Sequence, residues 1–215
     1  MFNIDVCEIF YSLQGESTFT GLPCIFIRLS GCNLNCSWCD TPYARKESCV
    51  MTFDQIFKEL KSYPCGLVEI TGGEPLLQDN TPALISMLLK KEYQVLVETN
   101  GSKSIKNLPP GCIKIMDIKC PSSHESDSFF SENIPLLTKH DEIKFVIGSR
   151  KDYTFAKSII ENDLSGISPK KIHLSPVFGC ISSETIATWM LDDHLPARLS
   201  LQQHKIIWDP DKRGV

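Results

Sequence analysis

No run of about 18 apolar residues occurs in this 215-residue chain, so no membrane-spanning helix is expected. A Lys/Arg-rich stripe is also missing. The 22 basic residues are outnumbered by 26 acidic ones, and the net charge of −4 argues against a nucleic-acid surface. The opening run Met1-Phe-Asn-Ile-Asp-Val6 has neither the basic nor the apolar part of an export signal. There is no internal repeat, low-complexity tract or obvious linker, so residues 1–215 are expected to form one domain. His124, His140, His173 and His194 show no metal-ligand spacing.

Cysteine is what the chain does have: ten of them. Without an export signal these point to the reducing cytosol, and to free thiols or metal ligands rather than disulfides. Seven are scattered singly and are read as packing residues. The other three, Cys32, Cys36 and Cys39, fall in the run Gly31-Cys-Asn-Leu-Asn-Cys-Ser-Trp-Cys-Asp-Thr41, with C-x3-C-x2-C spacing. Three thiolates can hold three irons of a [4Fe–4S] cube and leave the fourth open, whereas electron-transfer clusters are closed by four cysteines. A zinc site would want a fourth ligand, and Cys24 or Cys49 could supply one without forming a second pair. On spacing alone, zinc and plain packing stay open.

Short apolar runs alternate with helix-period segments. Strands are expected at Cys24–Leu29, Leu67–Thr71, Gln94–Glu98, Ile113–Ile118, Glu142–Ile147 and Lys171–Ser175, with a last one at Arg198–Gln202. Phe53, Ile56, Phe57 and Leu60 mark one helix face, with Thr52 as N-cap. Further helices are expected at Pro82–Lys91, capped by Thr81, at Asp152–Asn162 and at Ser183–Asp192. The Ser-rich stretch Pro121–Thr138 is irregular. Six strand–helix steps are too few for a closed eight-fold barrel, so the reading is an α/β fold, a partial (β/α)6 TIM-like barrel. The site should lie at the C-terminal strand ends. The cysteine loop, Thr71-Gly-Gly-Glu-Pro, Glu98-Thr-Asn-Gly, Asp117-Ile-Lys and Ser175-Pro-Val-Phe-Gly all fall there.

The cysteine loop after one strand and Gly-Gly-Glu-Pro after the next resemble the radical S-adenosylmethionine (SAM) superfamily. The runs Ile9–Glu16, Thr20–Pro23, Phe26–Cys32, Trp38–Thr41 and Gln203–Val215 narrow this to a resemblance to its 7-carboxy-7-deazaguanine synthase family. That resemblance implies conversion of 6-carboxy-5,6,7,8-tetrahydropterin to 7-carboxy-7-deazaguanine with loss of ammonia, toward queuosine. It implies a [4Fe–4S] cluster on Cys32, Cys36 and Cys39, and SAM along Trp38, Cys39, Asp40, Gly73, Asp117, Ile118, Lys119, Ser175, Pro176, Val177 and Phe178. Many members have Ser-Pro-Lys where this sequence has Asp117-Ile-Lys. Substrate contacts are implied for Leu13, Gln14, Gly15, Arg28, Thr71 and Val215, and a Mg2+ ion on Thr41.

The resemblance also implies a flavodoxin- or ferredoxin-like electron donor and a homodimer. The expected location is cytoplasmic, with no nucleic-acid partner. A glycyl-radical activating enzyme shares the cysteine spacing, but Ser12-Leu-Gln-Gly-Glu16 and the Arg-Gly-Val ending argue against it. The apolar Ile206-Ile-Trp208 and Pro210 are expected to seat the last residues near the barrel mouth, where the carboxylate of Val215 would meet the pterin. His204 is left between a structural and a substrate-contacting role.

Overall fold

A computed structural model describes residues 2–215. Nine strands form one open sheet in the order β3-β1-β2-β4-β5-β6-β7-β8-β9. They are β1 (Asn3–Leu13), β2 (Pro23–Leu29), β3 (Cys49–Thr52), β4 (Leu67–Gly72), β5 (Gln94–Thr99), β6 (Ile113–Asp117), β7 (Glu142–Ile147), β8 (Ile172–Pro176) and β9 (Arg198–Leu199). From β2 through β4 to β9 every neighbouring pair is parallel, while β1 pairs antiparallel with β2 and with β3. The result is the expected partial barrel, left open between its two edge strands.

The helices are α1 (Phe53–Leu60), α2 (Thr81–Lys90), α3 (Arg150–Asp163), α4 (Ser183–Asp192) and the single turn α5 (His204–Ile207). Thr52 caps α1 in a full capping box with Gln55, as its sequence suggests. Thr81 does not cap α2. Asn80 holds the cap position, and the Thr81 hydroxyl is spent on the Pro75 carbonyl at 2.6 Å. Between neighbouring parallel strands, two connections carry no α-helix. Residues 100–112 form a loop, and residues 118–141 contain three 3-10 turns, at Pro121–Ser123, Ser126–Ser128 and Ser131–Leu136. Strands β1 and β3 were not expected.

Side-chain alternation divides the strands between two environments. Ile25, Ile27, Val68, Ile70, Val95 and Val97 face outward into a core shared with α1 and α2. Ile143, Phe145, Leu174 and Ile160 join a second outer core with α3 and α4. The alternate residues Cys24, Phe26, Leu67, Leu96 and Ile115 turn inward and plug half of the barrel interior. Both faces of the parallel strands are therefore buried, which is why they read as apolar runs.

The other half of the interior is polar. Glu142, fully buried on β7, accepts from His173 Nε2 at 2.7 Å, from Lys171 Nζ at 2.8 Å and from Thr18 N at 2.9 Å. The Thr18 hydroxyl donates to it as well. This ties the loop after β1 to the barrel. Burial opposes the charge, but those donors outweigh it and hold the Glu142 carboxyl down at about 2. The carboxyl is lower in the folded state, so its contribution is complete above the ordinary value of 4.5 and disappears as pH falls toward 2. Glu142→Gln should cost about 2–3 kcal/mol near pH 7 and nothing at about pH 2, read from urea midpoints across that range. An equal loss at both pH values would contradict the assignment.

Candidate active site

The loops after the parallel strands meet in one cavity of about 280 Å3. Its wall is the cysteine loop. Gly31 leaves β2 with φ +92 and donates its N–H to the Ala44 carbonyl at 2.8 Å. The loop is bolted to its neighbours: Asn33 Nδ2 reaches Ser102 Oγ at 2.8 Å, Asn35 N reaches Glu125 Oε1 at 2.6 Å, and Ser37 Oγ donates to the Ser122 carbonyl at 2.9 Å. Cys32, Cys36 and Cys39 are free, half-buried and all line the cavity. Burial pushes the Cys32 and Cys36 thiols up, and each also feels charge from Cys39. Among the described residues, no three His, Cys, Asp or Glu side chains converge tightly enough to grip one ion. Three thiols lining one cavity suit a cube, where each thiolate takes its own iron. Leu34 N donates to Cys32 Sγ at 3.5 Å, the kind of contact that tunes such a ligand.

Thr71-Gly-Gly-Glu-Pro packs directly behind that wall. A Cβ on Gly72, whose φ is +147, would meet the Leu29 carbonyl oxygen at 2.2 Å. One on Gly73 would meet Gly31 O at 2.2 Å and Cys32 Cβ at 2.6 Å. Both glycines are thus demanded by the protein's own close approach of two backbones. Glu74, fully buried, locks the arrangement. Its N–H donates to Gly31 O at 2.8 Å, and its carboxylate accepts from Leu76 N, Thr99 Oγ1 and Asn100 N at 2.7–2.9 Å.

The cavity floor is an acid–base network. Lys144 Nζ lies 2.7 Å from Glu16, close beside Glu98, and 3.8 Å from Asp117. Lys119 pairs with Asp117 at 2.7 Å. Burial works against both ammonium charges, but the surrounding acids outweigh it and raise both lysines. Gln202 Nε2 bridges Glu16 at 2.8 Å and Asp40 at 3.3 Å, and Lys205 holds Asp40 at 2.6 Å. His204 also faces the cavity, and burial pushes it below the usual imidazole value. It packs on Gly15, where any Cβ would sit 2.3 Å from His204 Nδ1.

Of the residues singled out in the sequence, Leu13, Gly15, Arg28, Trp38, Asp40, Thr41, Thr71, Gly73, Asp117, Lys119, Val177, Phe178 and Val215 line this cavity with the three cysteines. Asp117 Oδ1 is buried without a described partner and is free for a donor on a bound group. Arg28 gives Nε to Glu8 at 2.8 Å. Thr41 stands at the cap of a 3-10 turn, yet its hydroxyl caps nothing. Ile118 instead packs in the outer core beside α3, Ser175 donates its hydroxyl to the Ser200 carbonyl at 2.9 Å, and Pro176 is off the cavity. Gln14 lines the cavity, but its polar groups are spent internally. Its N–H goes to Leu22 O and its carbonyl accepts from Gly21 N, both at 2.8 Å. Its amide joins Glu69 at 2.7 Å and Glu16 N at 2.5 Å. Ile206 and Ile207 are exposed rather than packed. The end is held by Arg213, paired with Glu47 at 2.7 Å and stacked 3.5 Å over Tyr43.

Sequence reasoning gave no role to Glu16, Glu69, Lys144, Gln202 or Lys205, and placed Glu98 at the site only as part of Glu98-Thr-Asn-Gly. A signal existed for three of them. Glu69, Glu98 and Lys144 each interrupt an apolar, doubly buried strand, where a charge is out of place without a reason.

The chain's similarities to known proteins agree with this geometry. The Radical SAM superfamily model matches residues 26–110. A 7-carboxy-7-deazaguanine synthase of Koribacter versatilis is 45% identical, covering 99% of this chain and 100% of that protein. One of Chlorobaculum tepidum is 44% identical over 99% of this chain and 97% of that protein. The crystal structure of QueE from Escherichia coli superposes with a TM-score of 0.76 at 27% identity, covering 94% of this chain and 95% of that one.

Gly73→Ala tests the backbone contact. Its methyl would press on the backbone of Gly31, which cannot swing aside. A loss of about 1–3 kcal/mol is expected, with iron uptake on anaerobic reconstitution well below wild type. Wild-type stability and iron content together would show that the two loops have room to part.

Proposed function

Because the chain belongs to the 7-carboxy-7-deazaguanine synthase family of radical SAM enzymes, we propose that it converts 6-carboxy-5,6,7,8-tetrahydropterin to 7-carboxy-7-deazaguanine with release of ammonia. Residues 1–215 act as one radical SAM unit in this reading. One observation carries it: the C-x3-C-x2-C wall, the Gly72–Gly73 backbone and a buried acid–base floor line one cavity.

Membership of the family brings a [4Fe–4S] cluster and SAM. When bound, they supply the reductive radical chemistry that begins the reaction, and the protein binds, orients and shields. Cys32, Cys36 and Cys39 hold the cluster. Trp38, Asp40, Gly73, the Asp117–Lys119 segment and the residues from Ser175 to Phe178 form the SAM side, with Asp117 Oδ1 open to a donor. Ile118, Ser175 and Pro176 serve there by shaping backbone, since their side chains lie elsewhere. Arg28 keeps its terminal nitrogens for the substrate carboxylate, because Glu8 takes only Nε. Leu13, Gly15, Thr71 and Val215 bound the substrate side, and Gln14 fixes the loop that carries Gly15 and Glu16. Glu16, Glu98 and Lys144 keep the floor ordered, without a loose charge, while the apolar plug below excludes water.

The uncommitted Thr41 hydroxyl fits a Mg2+ ion shared with the substrate, since a hard cation prefers such oxygen donors. A flavodoxin- or ferredoxin-like protein is the proposed electron donor. The working form is proposed to be a homodimer, for which exposed Ile206 and Ile207 offer apolar surface. The net charge of −4 supports a free small-molecule substrate rather than tRNA. Ten free cysteines suit a reducing, cytoplasmic setting, and no described helix is long and apolar enough to cross a membrane.

The test is turnover. Anaerobically reconstituted protein with the tetrahydropterin, SAM, Mg2+ and a reductant should release the deazapurine and ammonia, with about four irons per chain. Cys36→Ala should cleave no SAM. About eight irons per chain would refute a single cluster, and SAM cleavage without pterin conversion would refute the substrate. Omitting Mg2+ should lower turnover, and undiminished turnover in metal-free buffer would remove the ion from Thr41.

A further inference from the structure

Glu69 is a cavity acid with no counter-charge. Glu16 and Glu98 share Lys144, Asp117 takes Lys119, and Asp40 takes Lys205, but no described cation pairs with Glu69. The residue is 1% exposed, and it lines the cavity. An isolated buried carboxylate is costly, so such a group neutralises itself.

The neighbouring amide says where the proton sits. Glu16 N–H can only donate, so the Gln14 atom 2.5 Å from it must be the carbonyl oxygen Oε1. Gln14 Nε2 therefore faces Glu69, donating to its Oε2 at 2.7 Å. Oε2 is thus an acceptor, and Oε1, which has no described protein partner, is the oxygen left for the cavity that Glu69 lines. We infer that Glu69 is a neutral carboxylic acid that aims an Oε1–H donor into the cavity, to an uncharged acceptor on the pterin ring, a carbonyl oxygen or a ring nitrogen. This deepens the functional reading above and rests on it for the identity of the substrate.

Burial and the charge of Glu98 outweigh the Gln14 hydrogen bond and the Lys144 charge, and hold the Glu69 carboxyl up at about 8. The donor is present below that value and lost above it. The groups facing Glu69 are Glu98 on β5, Glu16 on the loop after β1, Lys144 on β7 and Cys24 on β2. Glu16 and Glu98 are held low, while Lys144 and the Cys24 thiol are pushed well up, so none of them titrates near 8.

The experiment measures pterin affinity on SAM-loaded, reconstituted protein from pH 6.5 to 9.5 for wild type, Glu69→Gln and Glu69→Ala. Wild-type affinity should fall about tenfold per pH unit above the Glu69 value. Glu69→Gln, always neutral and always a donor, should bind within about threefold of wild type at neutral pH and show no such fall. Glu69→Ala should lose about tenfold at neutral pH, as for one lost hydrogen bond of about 1.4 kcal/mol. A tenfold loss in Glu69→Gln at neutral pH, or the same alkaline fall in both proteins, would overturn the proposal. Difference infrared spectra of ligand-free wild type against Glu69→Gln give a separate readout. A protonated-carboxyl C=O band should be present only in wild type, and a carboxylate band in its place would overturn the proposal. If wild type bound no pterin at any pH, the substrate reading would fail while the infrared result still decided the proton.

Discussion

The buried ammonium of Lys144 is the interaction on which the polar half of the barrel depends. It reaches Glu16 from the loop after β1, Glu98 from β5 and Asp117 from β6, so one charge joins three separate segments. Two of those segments also touch other parts of the cavity: Glu16 through Gln202 and Asp117 through Lys119. Without the ammonium, several carboxylates would face one another in a desolvated pocket. Breaking such a buried pair typically costs about 3–5 kcal/mol, because a bare charge is left behind. The charge supply is limited, however. Lys144 satisfies Glu16 and Glu98 at close range, and nothing comparable is left for Glu69. The floor thus holds ionised and neutral carboxyls side by side, and the sorting follows from where one cation is placed.

The wall opposite is built on sterics. Gly31, Gly72 and Gly73 bring the β2 and β4 loops into backbone contact, and Glu74 ties that pair to β5. The cysteines stand on a surface held by these contacts of the chain with itself. Preorganisation of this kind reduces the ordering cost at binding. It also explains why the wall is bolted to the loops after β5 and β6: a ligand trio on eight residues of unsupported loop would be too loose.

Much of this was legible in the chain itself. Strands β2 and β4 to β8 stood out because parallel strands buried on both faces must be apolar along their whole length. The cysteine and Gly-Gly-Glu-Pro loops stood out because their residue types have few other uses at that spacing. Strand β1 was hidden: Asn3–Leu13 mixes buried Ile4 and Val6 with exposed and half-buried positions, so neither period dominates. Strand β3 is four residues long and half exposed. The roles of Gln14 and of residues 202–205 were illegible for a different reason. Their partners, Glu69, Glu16 and Asp40, lie 55, 186 and 165 residues away along the chain. Only the closed fold brings them together, so local pattern holds no trace of the pairing.

The division of the interior bears on chemistry. Phe26, Leu96 and Ile115 fill one half below the cavity, so water has no path from beneath. Glu142, His173 and Lys171 fill the other half, with the Glu142 carboxylate taking a hydrogen bond from each of the other two. Below the cavity the interior is therefore filled on both sides, once by apolar packing and once by polar groups bonded to Glu142. What remains open is the mouth, between the cysteine wall and the segment carrying Gln202, His204 and Lys205. That segment spans the gap: Gln202 and Lys205 grip Asp40 beside the cluster, and Gln202 also grips Glu16 beside the substrate floor. Wall and floor are thereby held to one another by fixed hydrogen bonds. The segment at the rim of the mouth thus sets the distance between wall and floor, so the opening and the alignment arise from one set of contacts.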